Sequence, residues 1–120
     1  MEKIETEKAP KAIGPYSQAI VHNGLIFVSG QIGMAANGEM QPTIEAQTEQ
    51  IIKNLKAVLE AAGSSLENAL KVNVYLDNME NFQKMNDIYA KYFTNKPARA
   101  TIQAKLPKNA MIEMDMIAAQ

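Results

Sequence analysis

The first third of the chain places short apolar runs between turn residues, a pattern typical of β-structure. Residues 20–22 and 25–28 flank Asn23-Gly24. An Asn-Gly pair supplies the two positive-φ residues that a type I′ turn requires. The pattern therefore predicts a β-hairpin whose second strand ends at residues 29–31. Because residues 25–28 are apolar without interruption, we expect both faces of that strand to be covered.

Two longer segments place apolar residues at helical spacing. The first runs from residue 44 to residue 62, with Thr43 as a candidate N-cap and Gly63 directly after its end. The second is predicted to begin after Asp77, because Asp77 and Glu80 have the spacing of a capping box. Both helices present one apolar face, so each needs a partner surface.

Three further segments alternate polar and apolar residues, as half-buried strands do: 71–76, 99–106 and 111–116. The predicted order is β-β-α-β-α-β-β. It indicates an α+β fold in a single domain spanning residues 1–120, with two helices on one face of a mixed, mainly antiparallel sheet. The other face would need a cover, and a homo-oligomer that packs sheets together supplies one.

Composition excludes several function classes. The formal net charge of −1 argues against a general nucleic-acid binder. The chain has no cysteine and one histidine, which excludes disulfides, a thiol nucleophile and any multi-histidine metal site. No apolar run approaches the ~20 residues that cross a bilayer, and the N-terminus lacks a signal-peptide pattern. We therefore expect a cytoplasmic protein with no membrane partner and no metal site.

Arg99 is the most informative residue, because every other basic residue is lysine. A surface charge would be served equally well by lysine. Arginine is needed where a planar fork binds a carboxylate or phosphate through two parallel hydrogen bonds. The alternative is a structural ion pair, and the residues alone weigh the two evenly.

Glu113 lies between two apolar residues on the last predicted strand. A carboxyl group in apolar surroundings has a raised pKa and can carry a proton near neutral pH. Asp115 lies on the same strand face and could do the same. The alternative is a strand face that is simply exposed to water.

Strand geometry limits how Arg99 and Glu113 could share a ligand. If the last two strands form a hairpin through residues 107–110, Lys105 lies near Glu113, and Arg99 lies six residues, roughly 20 Å, farther along. Such a hairpin cannot bring both side chains to one small ligand. Either the strands pair differently, or the two residues meet across a subunit boundary. We favour the boundary.

Four other residues are weaker candidates. Tyr16 follows a stiff Gly-Pro turn that could direct its phenol into a cleft. Ser29 and Gly30 end a buried strand, where a hydroxyl and backbone N–H groups could face a ligand. Asn86 lies on the apolar stripe of the second helix, where a buried amide must be hydrogen-bonded. The alternatives are structural. Tyr16 could simply pack at a loop, Ser29 and Gly30 could form an ordinary strand end, and Asn86 could bond to local backbone.

These residues resemble the RidA/YjgF family over residues 9–118. The motifs that carry the resemblance are Ala12-Ile13-Gly14-Pro15-Tyr16-Ser17-Gln18, Ser29-Gly30-Gln31-Ile32, Asn81-Phe82 with Asn86 and Tyr89, Pro97-Ala98-Arg99, Leu106-Pro107-Lys108 and Ile112-Glu113-Met114. The resemblance implies a chorismate-mutase-like fold and a homotrimer with clefts between subunits. It also implies hydrolysis of reactive 2-imino or enamino acids to 2-oxo acids and ammonia, with no cofactor.

The resemblance also implies a role for each matching position. Arg99 would hold the substrate carboxylate and Glu113 would handle the attacking water. Tyr16, Ser29 and the Gly30 backbone match other cleft positions. Asn86 is a further candidate for binding the substrate. Thr101 stands where the family often has cysteine, which leaves a small polar group in the cleft without thiol chemistry.

Two rival functions remain open from the sequence, as does a purely structural trimer with a vestigial cleft. A regulatory module could bind 2-oxo acids in the same cleft without turnover. An endoribonuclease or translation inhibitor is the weaker alternative, because the chain has a single arginine and no basic patch. Release of ammonia from an imine discriminates the enzyme from both.

Overall fold

The computed structural model describes residues 1–120, which form eight strands and helices in the order β-β-β-α-β-α-β-β. Their bounds are β1 Glu2–Ile4, β2 Ala19–His22, β3 Leu25–Ile32, α1 Ile44–Ala61, β4 Ala69–Leu76, α2 Phe82–Tyr92, β5 Ala98–Gln103 and β6 Ile112–Ala119. Short 3₁₀ turns occur at Leu66–Asn68, Met79–Asn81 and Pro107–Asn109. The predicted order lacked β1, because three residues with two charges among them show no alternation to detect.

One six-stranded sheet contains all the strands in the order β1-β2-β3-β6-β4-β5. All neighbours are antiparallel except β4 and β5, which are parallel and joined through α2. A helix is the usual crossover between parallel neighbours, so α2 returns the chain to the starting end of β4. The α+β fold with a mixed, mainly antiparallel sheet and two helices is confirmed.

The hairpin considered for the last two strands is wrong. β6 lies between β3 and β4, and β5 is the edge strand beyond β4. The physical reason is the crossover. Because α2 places β5 along one edge of β4, the only free edge of β4 is the one that faces β3. β6 fills that position and pairs with both strands.

The predicted turn and the predicted start of the first helix are confirmed, whereas the predicted start of the second helix is not. Asn23 and Gly24 have φ values of 51° and 78°, as the predicted type I′ turn requires. The Thr43 side chain accepts a hydrogen bond from the Ala46 N–H at 3.0 Å and so caps α1. The predicted Asp77 capping box is wrong. Asn78 receives the Glu80 N–H instead, in a 3₁₀ turn that precedes α2.

The two helices cover one face of the sheet. α1 packs on β3 and β6 and against α2. The core between the layers includes Ile51, Leu55, Val72, Met85 and Met114, all inaccessible to solvent. On the opposite face Phe27 is 43% exposed and Ile102 is 52% exposed. The expected coverage of both faces of the second hairpin strand therefore does not occur within one chain.

No helix of the structure combines the length and the apolar character that crossing a bilayer requires.

Candidate functional site

Arg99 projects from the edge strand β5 towards α2. It is in register with Val72 of β4, whose side chain is buried beneath the helices. The Arg99 Nη1 donates a hydrogen bond to Asn86 Oδ1 at 2.7 Å. The Arg99 Cζ lies 4.7 Å from the ring centroid of Tyr89 and 5.6 Å from that of Phe82. An amide and two aromatic rings therefore determine the plane of the guanidinium.

The only side-chain hydrogen-bond partner of Arg99 is an amide and not a carboxylate. The structural ion pair considered as the alternative is therefore absent within the chain. The guanidinium borders a cavity of about 430 Å³ that is also lined by Asn86, Tyr89 and Lys96. One nitrogen of the fork is occupied by Asn86, and the remaining N–H groups are available to an anionic ligand.

Two hydroxyl groups on the covered face have no hydrogen-bond partner. They are the Thr101 Oγ1 and the Tyr89 hydroxyl, both buried. Thr101 follows Arg99 by two residues and so lies on the same face of β5. Burial raises the pKa of the Tyr89 phenol, and the Arg99 charge opposes that rise. A buried hydroxyl without a partner costs free energy, so both groups retain an unused capacity to form a hydrogen bond.

Glu113 faces the uncovered side of the sheet. It is in register with Ile32 of β3 and Tyr75 of β4. Its carboxyl group borders a cavity of about 310 Å³, which is also lined by Tyr16 and Gly30. Burial raises the pKa of Glu113, and the negative charge of Asp115 raises it further. A carboxyl group whose pKa is raised holds a proton at a higher pH than an exposed glutamate does, and it can return that proton to a base.

Gly30 allows the Glu113 carboxyl group to occupy its position. A Cβ at residue 30 would lie only 2.7 Å from Glu113 Oε2. Any side chain there would therefore displace the carboxyl group, and the bare backbone of Gly30 forms one wall of the cavity.

Ser29 forms two hydrogen bonds with the segment that follows Tyr16. Its hydroxyl donates to the Ser17 carbonyl at 2.5 Å, and its amide donates to the Gln18 carbonyl at 2.9 Å. Both bonds attach the segment that follows Tyr16 to β3. Tyr16 itself is 54% exposed at the mouth of the cavity. Ser29 thus positions the Tyr16 segment and is not among the residues that line either cavity.

The predicted site residues therefore fall into two groups on opposite faces of the sheet. Arg99, Asn86 and Thr101 lie on the helix-covered face, whereas Glu113 lies on the uncovered face. Arg99 and Glu113 are also two strands and three register positions apart, which places their Cα atoms about 14 Å from each other. Neither of the two cavities is lined by both side chains.

Sequence reasoning missed Gln47, a buried amide that links α1 to the segment before β6. Gln47 is 3% exposed, accepts from the Met111 N–H at 2.9 Å and donates to the Gln41 carbonyl at 2.9 Å. It thereby ties α1 to the segment that leads into β6. A Cβ at Gly33 would lie 2.5 Å from the Gln47 Cβ, so the helix contacts bare backbone there. The detectable signal was an amide on the apolar stripe of α1.

Sequence reasoning named the residues of one motif on α2 but did not connect them with Arg99, which they support. Phe82, Asn86 and Tyr89 are spaced by four and three residues on α2, so they share one helix face. This spacing, combined with a single arginine, was a signal that the sequence contained. What it could not show was which strand would bring Arg99 to that face.

Comparison with known proteins agrees with the motifs. A family model described as endoribonuclease L-PSP matches residues 6–120. The chain belongs to the RidA/YjgF family. Among its relatives is the chloroplastic Reactive Intermediate Deaminase A of Arabidopsis thaliana, 46% identical over 98% of this chain and 65% of that protein.

Solved structures share the fold over the whole chain. A Thermotoga maritima protein described as a putative endoribonuclease is 48% identical, with a TM-score of 0.97 over 100% of this chain and 98% of that one. Escherichia coli TdcF with bound serine is 32% identical, with a TM-score of 0.96 over 100% and 99% of the two chains. The RidA/YjgF relatives thus include a protein named as a deaminase and one that binds a small amino acid.

Proposed function

We propose that this RidA/YjgF protein hydrolyses reactive 2-imino and enamino acids to 2-oxo acids and ammonia. The observation that carries the proposal is the sole arginine, held by Asn86 and two aromatic rings, with no carboxylate partner in the chain. A pre-oriented, unpaired guanidinium beside a cavity is suited to a small organic acid. The name of the Arabidopsis relative and the serine bound to TdcF support a substrate of the size of an amino acid.

In the proposed reaction Arg99 holds the substrate carboxylate and so fixes the position of the adjacent C=N carbon. That carbon is already electrophilic, and protonation of the nitrogen makes it more so. A water molecule about 3 Å away then needs only orientation and removal of a proton. The reaction as proposed therefore requires no metal or organic cofactor.

Glu113 is the proposed acid/base. It takes a proton from the attacking water as the new C–O bond forms and the π electrons of the C=N bond move to nitrogen. It then returns that proton to the nitrogen. As the C–N bond breaks and ammonia leaves, the oxygen electrons form the C=O bond of the 2-oxo acid, and the hydroxyl proton passes through Glu113 to the departing ammonia. Burial already raises the pKa of Glu113, so one group can serve in both steps. Tyr16, Thr101 and the Gly30 backbone are proposed to line the same cleft.

The cleft must be assembled from two chains, because Arg99 and Glu113 lie on opposite faces of the sheet. We propose a homotrimer of chorismate-mutase-like subunits in which each cleft takes Arg99 from one subunit and Glu113 from the next. A ring of identical chains repeats the same interface and so forms identical clefts. The exposed Phe27 and Ile102 on the uncovered face support burial of that face by another copy.

The test is turnover of imines generated in situ by a pyridoxal-phosphate-dependent dehydratase. Ammonia release should exceed the spontaneous rate with the parent protein. Arg99→Ala should lose most of that excess, and Arg99→Lys should also lose at least about tenfold, because a single ammonium cannot form two parallel bonds. The matched control is Lys84→Ala, which removes an exposed cation from α2 and should keep the parent rate.

Equal rates for the parent and both Arg99 variants would refute the assignment. Saturable binding of 2-oxobutanoate without any acceleration would support the regulatory module instead. Cleavage of RNA that persists in Arg99→Ala would support the endoribonuclease named in the family model.

A further inference from the structure

Asp115 forms a hydrogen-bonded cluster beside Glu113 on the uncovered face. Its Oδ1 accepts from Asn73 Nδ2 at 2.8 Å, and its Oδ2 accepts from the Tyr75 hydroxyl at 2.8 Å. Both donors lie on β4, the strand that pairs with β6. Each oxygen of Asp115 is therefore already engaged within the chain, which distinguishes this carboxylate from one that awaits a ligand.

The strand register shows that Asn73 and Tyr75 donate their hydrogen bonds to Asp115 and not to Glu113. Asn73 lies directly opposite Asp115, whereas Tyr75 lies directly opposite Glu113. The Tyr75 hydroxyl nevertheless reaches diagonally to Asp115. Glu113 is thus left next to an anchored negative charge, two residues away on the same strand face, with Cα atoms about 7 Å apart.

We propose that Asp115 is a positioning residue for Glu113: its anchored charge favours the protonated carboxyl group and keeps a transferable proton in the cleft. A like charge nearby disfavours ionisation of a neighbouring carboxyl group. Once Glu113 has taken the proton of the attacking water, the Asp115 charge favours its retention on the carboxyl group until the leaving nitrogen accepts it. This inference rests on the acid/base role proposed above for Glu113.

Other groups also face Glu113 and affect how readily its carboxyl group ionises. Tyr16, Lys11 and Lys108 line the same cavity. The two ammonium groups favour the ionised carboxylate and so oppose Asp115. The hydrogen bond to Asp115, burial and the charges of Asp115 and Glu113 raise the pKa of Tyr75, so its hydroxyl remains a donor.

The direct measurement is a ¹³C NMR titration of the glutamate δ-carbons in the assembled protein, with the Glu113 signal assigned by its loss in Glu113→Gln. The midpoint of Glu113 should fall in Asp115→Asn, which keeps the size of the side chain and removes the charge. It should return towards the parent value in Asp115→Glu. The limb of the pH–rate profile that reports Glu113 should move in the same direction. A midpoint lower by one pH unit means an about tenfold smaller protonated fraction at any pH well above both midpoints.

Two further variants separate charge from packing. Tyr75→Phe removes one hydrogen bond but leaves the Asp115 charge, so the Glu113 midpoint should stay closer to the parent value than in Asp115→Asn. Asp87→Asn removes an exposed carboxylate on α2 that accepts from Gln83, and it should leave the midpoint unchanged.

An unchanged Glu113 midpoint in Asp115→Asn would overturn the inference, whether or not the enzyme is active. An equal fall in Tyr75→Phe would also overturn it, because packing and not charge would then be responsible. If the midpoint shifts as expected but no variant or parent accelerates imine hydrolysis, the proposed function fails while the electrostatic coupling stands.

Discussion

Complementation between two inactive variants tests the shared cleft most directly. The structure separates Arg99 and Glu113 by about 14 Å and places them on opposite faces of the sheet. A cleft that uses both must therefore take them from different subunits. Arg99→Ala chains still contain Glu113, and Glu113→Gln chains still contain Arg99. Mixed assemblies should regain activity that neither variant has alone.

The size of the recovery follows from the proposed ring of three. Random assembly of equal amounts places both kinds of chain in about three-quarters of the trimers. In every mixed trimer a single subunit boundary joins an intact Arg99 to an intact Glu113, so about one third of its clefts are complete. This holds whichever variant is in the majority. The preparation should therefore show about one quarter of the parent activity.

The assay mixes the two variants under denaturing conditions, refolds them together and measures ammonia release in the dehydratase-coupled reaction. Each variant refolded alone gives the baseline. The matched control combines the separately refolded variants, which should remain at that baseline unless subunits exchange. A refolded parent sample defines full activity.

The reasoning would be refuted if the co-refolded mixture stayed at the baseline. This outcome counts only if the refolded parent is active and mass spectrometry detects mixed trimers. The two residues would then act within one chain or not together at all. Recovery well above about one quarter would also contradict the ring of three, because that assembly allows only one intact cleft in each mixed trimer.

Three other outcomes are expected from single positions. Thr43→Ala should lower the free energy of unfolding by about 1 kcal/mol, whereas Thr43→Ser should retain most of it, as measured by urea denaturation. Gly30→Ala should reduce kcat/KM with little change in the denaturation midpoint, because the new Cβ meets only the flexible end of Glu113; equal losses of both would contradict this. Because burial raises the pKa of Glu113 in the folded chain, its contribution to stability is present below the unfolded pKa and is lost as pH rises through the folded one. Glu113→Gln should therefore gain stability relative to the parent as the pH rises above about 4, where the unfolded glutamate ionises, and a constant difference would contradict the raised pKa.

Local sequence determined the elements whose signals lie within a few residues. The Asn23-Gly24 turn needs only two residues that tolerate positive φ, and both adopt it. The Thr43 cap needs only a hydroxyl three residues before a free amide. The apolar stripes of α1 and β4 specify which faces are buried, because period and burial are linked residue by residue. The motif pattern also determined the RidA/YjgF family, and with it the identity of the candidate residues.

Only the tertiary structure decided how distant segments pair. The insertion of β6 between β3 and β4 depends on competition among strand edges, which no local pattern encodes. That pairing places Glu113 against Gly30 and anchors Asp115 to Asn73 and Tyr75. The parallel pairing of β5 with β4 leaves Arg99 beneath α2. The sequence by itself thus named the two groups that matter for the proposed chemistry. Their separation onto opposite faces is a property of long-range strand order and register, and it is the reason why the proposed cleft takes them from two subunits.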